Sequence, residues 1–515
     1  MSTEGTESSE STTRTGSAPR QLPVGLLAVA VALTALTAVG TAAGQPRPKA
    51  AAQAARVEVV GSTSVCPDLR QQVGRLASRA SIGVGPLPSG RTASSGRVEL
   101  DRATAPGKPS PTGLTAPGQV AVNLGTRVDR DALQITAGGS LAASLEAEQV
   151  TRGEGGRERG LAGLRCAAAS RETWFEGGGT STGDESTLIL VNVDDTPATV
   201  DVTAFSSTGP ADPKPGQGLT VPPHSRTITL LDRLAPNLSL LAVHVVSRRG
   251  RVAAALRYSS VSGDTAAGVD WVPQTVPPAT TVVVPGFPQS GDGQRSVLIT
   301  NPTTDDTTVS VRITTETGQF VPTGLDQLNV PAGTTVTARL DNLTLQTSLA
   351  ATITSSGSPI LAGGIVRDAQ RGSPVRELAF TGGTGPLSGP ALLTDLVINT
   401  PTESTLILSA PSGAATVVVS PIRVTGTTGA LPAPKTLRIA AGRTLTLKLS
   451  TFYPPRTDAQ LALEVRPTDG SGPVYAARYL RERGAHGPLT TLLDLQGPAQ
   501  EVSRPVVSID AGLGN

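Results

Sequence analysis

Aromatic residues are scarce. Six Phe, four Tyr and two Trp make up 2% of 515 residues, which leaves few rings on which a sugar or a base could stack. Three His and two Cys do not make up a closed Cys/His zinc site. Charged residues are only 16% and the net charge is +2, so no basic footprint for nucleic acid is visible. The 57 Gly and 42 Pro argue against a fold built on long helices or coiled coils, because both residues break them. What remains is abundant Val, Leu, Ile and Thr in short blocks, which argues for strands and against disorder. At roughly 150 residues per domain, the length suggests about three or four domains.

Residues 22–43 form an uncharged apolar run behind a polar leader, residues 1–21, that is read as cytoplasmic. Twenty-two helical residues rise about 33 Å, enough to cross a hydrocarbon core of about 30 Å. Arg14 and Arg20 precede the run, and Arg47 and Lys49 follow it, so flanking charge alone does not set the orientation. Thr41-Ala-Ala43 and Ala52-Gln-Ala54 offer small residues for a signal peptidase. The long leader with Glu4, Glu7 and Glu10 favours a retained signal anchor in the cytoplasmic membrane. Either reading exports everything beyond an Ala/Pro linker at 44–55.

Cys66 and Cys166 both lie past the run. An even pair in an exported chain is expected to form a disulfide, with two buried free thiols as the alternative. The bridge would close a loop of about 100 residues, worth up to about 4.7 kcal/mol in the chain-entropy model.

The rest of the chain repeats. Leu188-Ile-Leu-Val-Asn192, Val297-Leu-Ile-Thr-Asn301 and Leu396-Val-Ile-Asn399 are each followed by a Thr/Asp/Pro turn and a second alternating segment. Asn192, Asn301 and Asn399 are therefore expected at hairpin turns. A second block begins at Val221, Val330 and Ile439, equally spaced by 109 residues. A third, Ala- and Gly-rich block closes each unit, the composition of a strand that another backbone approaches closely. Ala116–Leu124 and Gly139–Leu145 resemble the last two blocks and mark a divergent first copy.

Four units result: 56–160, 161–272, 273–380 and 381–515. A period of about 110 residues is too long for propeller blades or solenoid repeats. Short strands with frequent turns predict an all-β fold: an N-terminal transmembrane helix followed by four tandem immunoglobulin-like β-sandwich units, standing in file.

Few residues offer chemistry. Gly179-Thr-Ser181-Thr-Gly183 matches G-x-S-x-G, but a strand rather than a helix follows it. His224, His244 and His486 fall on different units or faces. Asp194-Asp195 and Asp305-Asp306 are read as solvated turns. Arg248-Arg249-Gly250-Arg251 is read as a basic tip, Trp174 and Trp271 as core or junction residues, and Asn237 and Asn342 as sequons by pattern only. No catalytic residue, metal or cofactor is expected.

Val65-Cys66-Pro67, Cys166 with the following Trp174-Phe-Glu-Gly-Gly178, and Leu188-Ile-Leu-Val-Asn192 resemble a family of exported, membrane-anchored actinobacterial proteins that is known only as a domain of unknown function. Where that family's Leu-Val-Asn strand continues with Pro, Val193 stands here, while Asn301-Pro302 keeps the pattern. The resemblance implies a cell-envelope location and carries no catalytic residues. The expected function is a non-enzymatic structural or interaction protein of the bacterial envelope, with an enzyme or accessory subunit of cell-wall glycan or peptide metabolism as the alternative.

Overall fold

Alternation of aliphatic with Ser, Thr or Arg side chains sets the strands. Val309, Val311 and Ile313 are buried while Ser310 and Arg312 face outward, the two-residue period of a half-buried strand. A computed structural model describes residues 55–504, apart from 70–75, 87–94, 123–130, 290–292, 341–342, 344–346, 370–374, 397–401, 429, 454–460 and 499–500. The apolar run at 22–43 and Asn399 lie outside the described residues. Among the described residues no helix is long and apolar enough to cross a membrane.

Strand β1 (Ala55–Glu58) pairs with the last strand, β37 (Glu501–Arg504), in a separate ribbon. Residues 58–502 form one compact unit made of four sandwich-like pairs of sheets. In the first, an outer sheet runs β2 (Gly61–Leu69), β7 (Asp131–Gly138), β4 (Arg97–Arg102), β5 (Ser110–Pro111). Its inner sheet runs β6 (Gln119–Ala121), β3 (Leu76–Val84), β8 (Leu145–Gly153), β9 (Gly160–Arg165).

The second sandwich repeats this plan. Its outer sheet is β19 (Gln274–Thr275), β10 (Glu172–Glu176), β16 (Ala242–Arg249) and β12 (Ala198–Ser206), with β13 (Gly209–Pro210) and β14 (Leu219–Val221) on β12. Its inner sheet is β15 (Ser225–Leu230), β11 (Asp184–Asn192), β17 (Ala253–Ser262), β18 (Thr265–Val272).

In the third, β20 (Thr281–Phe287), β26 (Leu349–Ser355) and β22 (Thr307–Thr315), with β23 (Gln319–Phe320) and β24 (Leu328–Val330), face β25 (Thr335–Arg339), β21 (Gln294–Thr300), β27 (Leu361–Ala369), β28 (Arg376–Gly382). In the fourth, β29 (Ala391–Leu396), β34 (Leu461–Pro467), β31 (Ala415–Val424) and β32 (Lys435–Ile439) face β33 (Arg443–Lys448), β30 (Thr402–Ala410), β35 (Tyr475–Gly484), β36 (Gly487–Leu495). Val221, Val330 and Ile439 end the equivalent strands β14, β24 and β32, so the sequence spacing is a structural one.

Two expectations need correction. The segments on either side of Asn192 do not form a hairpin: β11 and β12 lie in opposite sheets, as do β21 and β22 around Asn301. These turns are arches between sheets. Local alternation specifies a strand but not which sheet it joins, and here the core is filled by strands that cross it. The immunoglobulin pairing order, in which the first two strands are neighbours in one sheet, is likewise not what the units show. β10 pairs with β16 and β19, and β11 with β15 and β17.

Nor do the sandwiches stand in file. The last inner strand of each unit meets those of its neighbours: β9 packs on β18 and β36, and β28 packs on the same two. The ring is closed by parallel pairing of β6 with β31, Val120 opposite Val424, which fuses sheets of the first and fourth units. Glycine permits the close approaches at the seams. A Cβ on Gly363 would lie 2.9 Å from the Glu176 carbonyl oxygen, and one on Gly268 2.5 Å from Leu378 N. Strand β9 carries the first unit to Arg165, β19 the second to Thr275 and β28 the third to Gly382.

Candidate functional site

The densest set of buried polar groups lies where β9, β18, β28 and β36 meet. Asp270 of β18 is fully buried. Its Oδ1 accepts bonds from Gly163 N of β9 (3.1 Å) and Thr491 Oγ1 of β36 (2.8 Å), and its Oδ2 from Phe380 N of β28 (3.1 Å). One carboxyl therefore holds all three other sandwiches. Burial drives its pKa well above the ordinary carboxylate range, against the pull of these donors.

Glu377 of β28 repeats the device. Its Oε1 accepts from Val269 N (3.3 Å) and Leu378 N (3.1 Å), and its Oε2 lies 3.6 Å from Arg159 Nη1. Arg159 Nη2 in turn donates to the carbonyls of Gly487 and Pro488. Asp494 of β36 accepts from Thr381 Oγ1 and Gly382 N, both at 2.8 Å, and burial lifts its pKa to about 6.

The seams carry further acids. Between the second and third sandwiches Glu176 accepts from Thr300 Oγ1 at 2.8 Å, and burial pushes its pKa up to about 8. Between the first and fourth, Glu146 accepts from Leu392 N (3.0 Å) and Arg165 Nη2 (2.8 Å). Its pKa also rises to about 8, because burial outweighs the pull of Arg165. Glu148 accepts from Thr394 Oγ1 (3.0 Å) and faces Arg478 at 3.5 Å. Between the third and fourth, fully buried Arg295 donates to Asp368 at 2.7 Å, and Tyr479 donates to the same carboxylate. A cavity of about 270 Å³ opens beside Asp494, lined also by Arg165, Cys166, Phe175 and Gln274. Among the described residues no three His, Cys, Asp or Glu gather as a metal site requires.

The residues singled out in the sequence are placed elsewhere. Cys66 and Cys166 form a disulfide, which ties the segment just after β9 back to β2 beside the Val65–Ala167 bridge. Asn192 is buried at its arch. Its Nδ2 donates to the carbonyls of Thr196, Val221 and Pro222, and its Oδ1 accepts from Asp194 N. Asn301 repeats this with Asp305, Val330 and Thr303.

Ser181 sits in a turn that enters strand β11, without the strand-to-helix elbow that its motif requires. His224 adopts φ 44° where Gly333 and Gly442 hold the equivalent left-handed positions, and it bonds Asp195 at 2.7 Å. His244 stacks on Trp174 with ring centroids 3.5 Å apart and bonds Glu172 at 2.9 Å. Burial lowers its pKa. His486 is exposed. Asp194 pairs with Arg251 through two contacts of 2.9 Å, and these hold its pKa down. Trp271 is buried at the seam of the first two sandwiches, in a cluster with Val65, Ile189 and Ala253.

The buried acids were not singled out from the sequence. In Val269-Asp-Trp271 and Leu493-Asp-Leu495 the acid breaks an apolar strand, and that interruption is the signal available in the sequence.

The chain belongs to a family of unknown function, DUF5719, whose match spans residues 122–450. That span takes in the second and third sandwiches whole and parts of the other two. No curated protein matches the chain.

Proposed function

We propose that this family member is a non-enzymatic structural or interaction protein of the bacterial cell envelope, exported and held at the membrane by residues 22–43. The observation that carries the reading is the role of Asp270: a fully buried acid is spent on joining four sandwiches, and Glu377, Asp494, Glu176, Glu146 and Glu148 also bond across seams. A ring held by such contacts presents strand edges and loops on a fixed frame, and these are its binding surfaces. The Cys66–Cys166 disulfide suits an oxidising compartment, and the uncharged run ahead of it suits export.

The test is to incubate the full-length protein in detergent with wall glycan and wall peptide fragments, beside a Ser181→Ala variant. No turnover by either is the expected result. Turnover that the variant abolishes would overturn the reading. Fractionation should recover the protein with the membrane, its body open to protease added from outside the cell.

A further inference from the structure

The cavity beside Asp494 opens where strands of three sandwiches leave the four-way junction. The ends of β9, β18 and β36 and the first residues after them line it. At about 270 Å³ it is nearly twice the roughly 150 Å³ cavity that takes a benzene molecule, which gives room for about ten non-hydrogen atoms. Phe175, Ala255 and Leu492, all buried, supply apolar wall.

Three polar side chains line the same space, and each keeps unused hydrogen-bonding capacity. Arg165 donates Nη2 to Glu146 at 2.8 Å. Its Nε and Nη1 have no bonded partner among the described residues, and its side chain is 26% exposed. Burial holds the proton on Glu146 up to about pH 8, so this bond does not cancel the guanidinium charge at neutral pH. Asp494 is fixed from β28: its Oδ1 accepts from Thr381 Oγ1 and its Oδ2 from Gly382 N. A carboxylate offers about four acceptor sites, so each oxygen can accept again. With a pKa of about 6 it is ionised at neutral pH. Gln274 is exposed at the rim, where its Nε2 donates to the Ala254 carbonyl at 2.9 Å and its Oε1 stays open.

Arg165 and Asp494 thus share one small cavity, while the ion pair that Arg165 makes is with Glu146. An anion alone would be repelled by Asp494, and a cation alone by Arg165. A ligand with one charge of each sign meets an opposite charge at both ends, as burying charge requires.

We propose that this cavity binds a zwitterion of amino-acid or dipeptide size, its carboxylate accepting from Arg165, its ammonium donating to Asp494 and Gln274 Oε1, and a small apolar side chain lying against Phe175 and Leu492. The planar guanidinium suits a carboxylate. Such a ligand touches three sandwiches at once, so binding stabilises the closed ring. The site goes beyond the envelope reading and does not depend on it.

The experiment titrates the full-length protein in detergent at neutral pH with leucine and with alanyl-alanine, followed by calorimetry and thermal melting. The expected result is saturable one-to-one binding of at least one probe with a raised melting midpoint, and which probe binds separates a free amino acid from a peptide. The N-acetyl derivative of that probe lacks the ammonium, and its carboxamide lacks the carboxylate. Each should bind about tenfold more weakly or worse, the worth of one charge-assisted hydrogen bond. These comparisons need no change in the protein. In Arg165→Gln the probe and its carboxamide should bind alike, and Gln274→Trp should fill the mouth and abolish binding. No saturable binding of either probe in the millimolar range, equal affinity for the blocked derivatives, or a Gln274→Trp variant that binds as wild type does would each overturn the proposal.

Discussion

Thr491 donates its hydroxyl to Asp270 Oδ1 at 2.8 Å across 221 residues of chain. The bond joins the fourth sandwich to the second. Gly163 N and Phe380 N bond the same carboxyl, so one side chain records the closure of the ring.

Removing that carboxyl should loosen all three joints. Asp270→Ala would leave the buried Phe380 N–H and Thr491 hydroxyl without this acceptor, at about 1–3 kcal/mol for each unsatisfied group, while Gly163 N keeps Thr491 Oγ1 at 2.9 Å. Thermal melting should show a large fall in midpoint, with Asp270→Asn intermediate because its amide keeps one acceptor oxygen. A variant that melts with the wild type would show that the junction does not hold the ring.

Stability should fall as pH rises through neutrality, and Glu176 is one cause. Its folded pKa of about 8 lies above the ordinary 4.5. Between these values the unfolded chain releases a proton that the folded protein keeps. Its contribution is therefore complete below about pH 4.5 and is lost progressively up to about pH 8, at up to about 1.4 kcal/mol per pH unit. Glu176→Gln, neutral at every pH, should flatten the dependence of the melting midpoint between pH 5 and 8. Parallel curves for variant and wild type would refute the assignment.

Reduction should destabilise the first sandwich before the others. The disulfide closes a separation of 100 residues, and losing such a link costs about 2–5 kcal/mol. Hydrogen exchange under reductant should rise first in β2, β7 and the segment at 166–171, while β22 and β27 remain protected. Uniform exchange across the four sandwiches would contradict this.

The arch asparagines should resist even close substitution. Asn192→Ala would leave the carbonyls of Thr196, Val221 and Pro222 without their donor, a loss of about 1–3 kcal/mol. Asn192→Asp should be no better, because a carboxylate offers no N–H to those carbonyls. Urea unfolding of the two variants beside Asn301→Ala provides the check, and an Asp variant as stable as wild type would show that donation is not the role.

Much of the molecule was legible in its sequence, for local reasons. Alternation at Val309-Ser-Val-Arg-Ile313 reports which side of a sheet each residue faces, so strands can be read without the fold. Equal spacing of Val221, Val330 and Ile439 reports repetition, and paucity of aromatics reports cores filled by aliphatic residues. The candidate site was less legible. Asp270 carries no motif, and its partners come from β9, β28 and β36, which no spacing rule connects.

The sequence by itself determined that the chain is all-β, built in repeats, with cysteines placed to pair and an uncharged run long enough to cross a bilayer. Only the tertiary structure decided that the turns at Asn192 and Asn301 are arches and that four sandwiches close on one another. The reason is physical. Side-chain period and turn chemistry act over a few residues, whereas sheet membership and ring closure are settled by which distant surfaces bury each other.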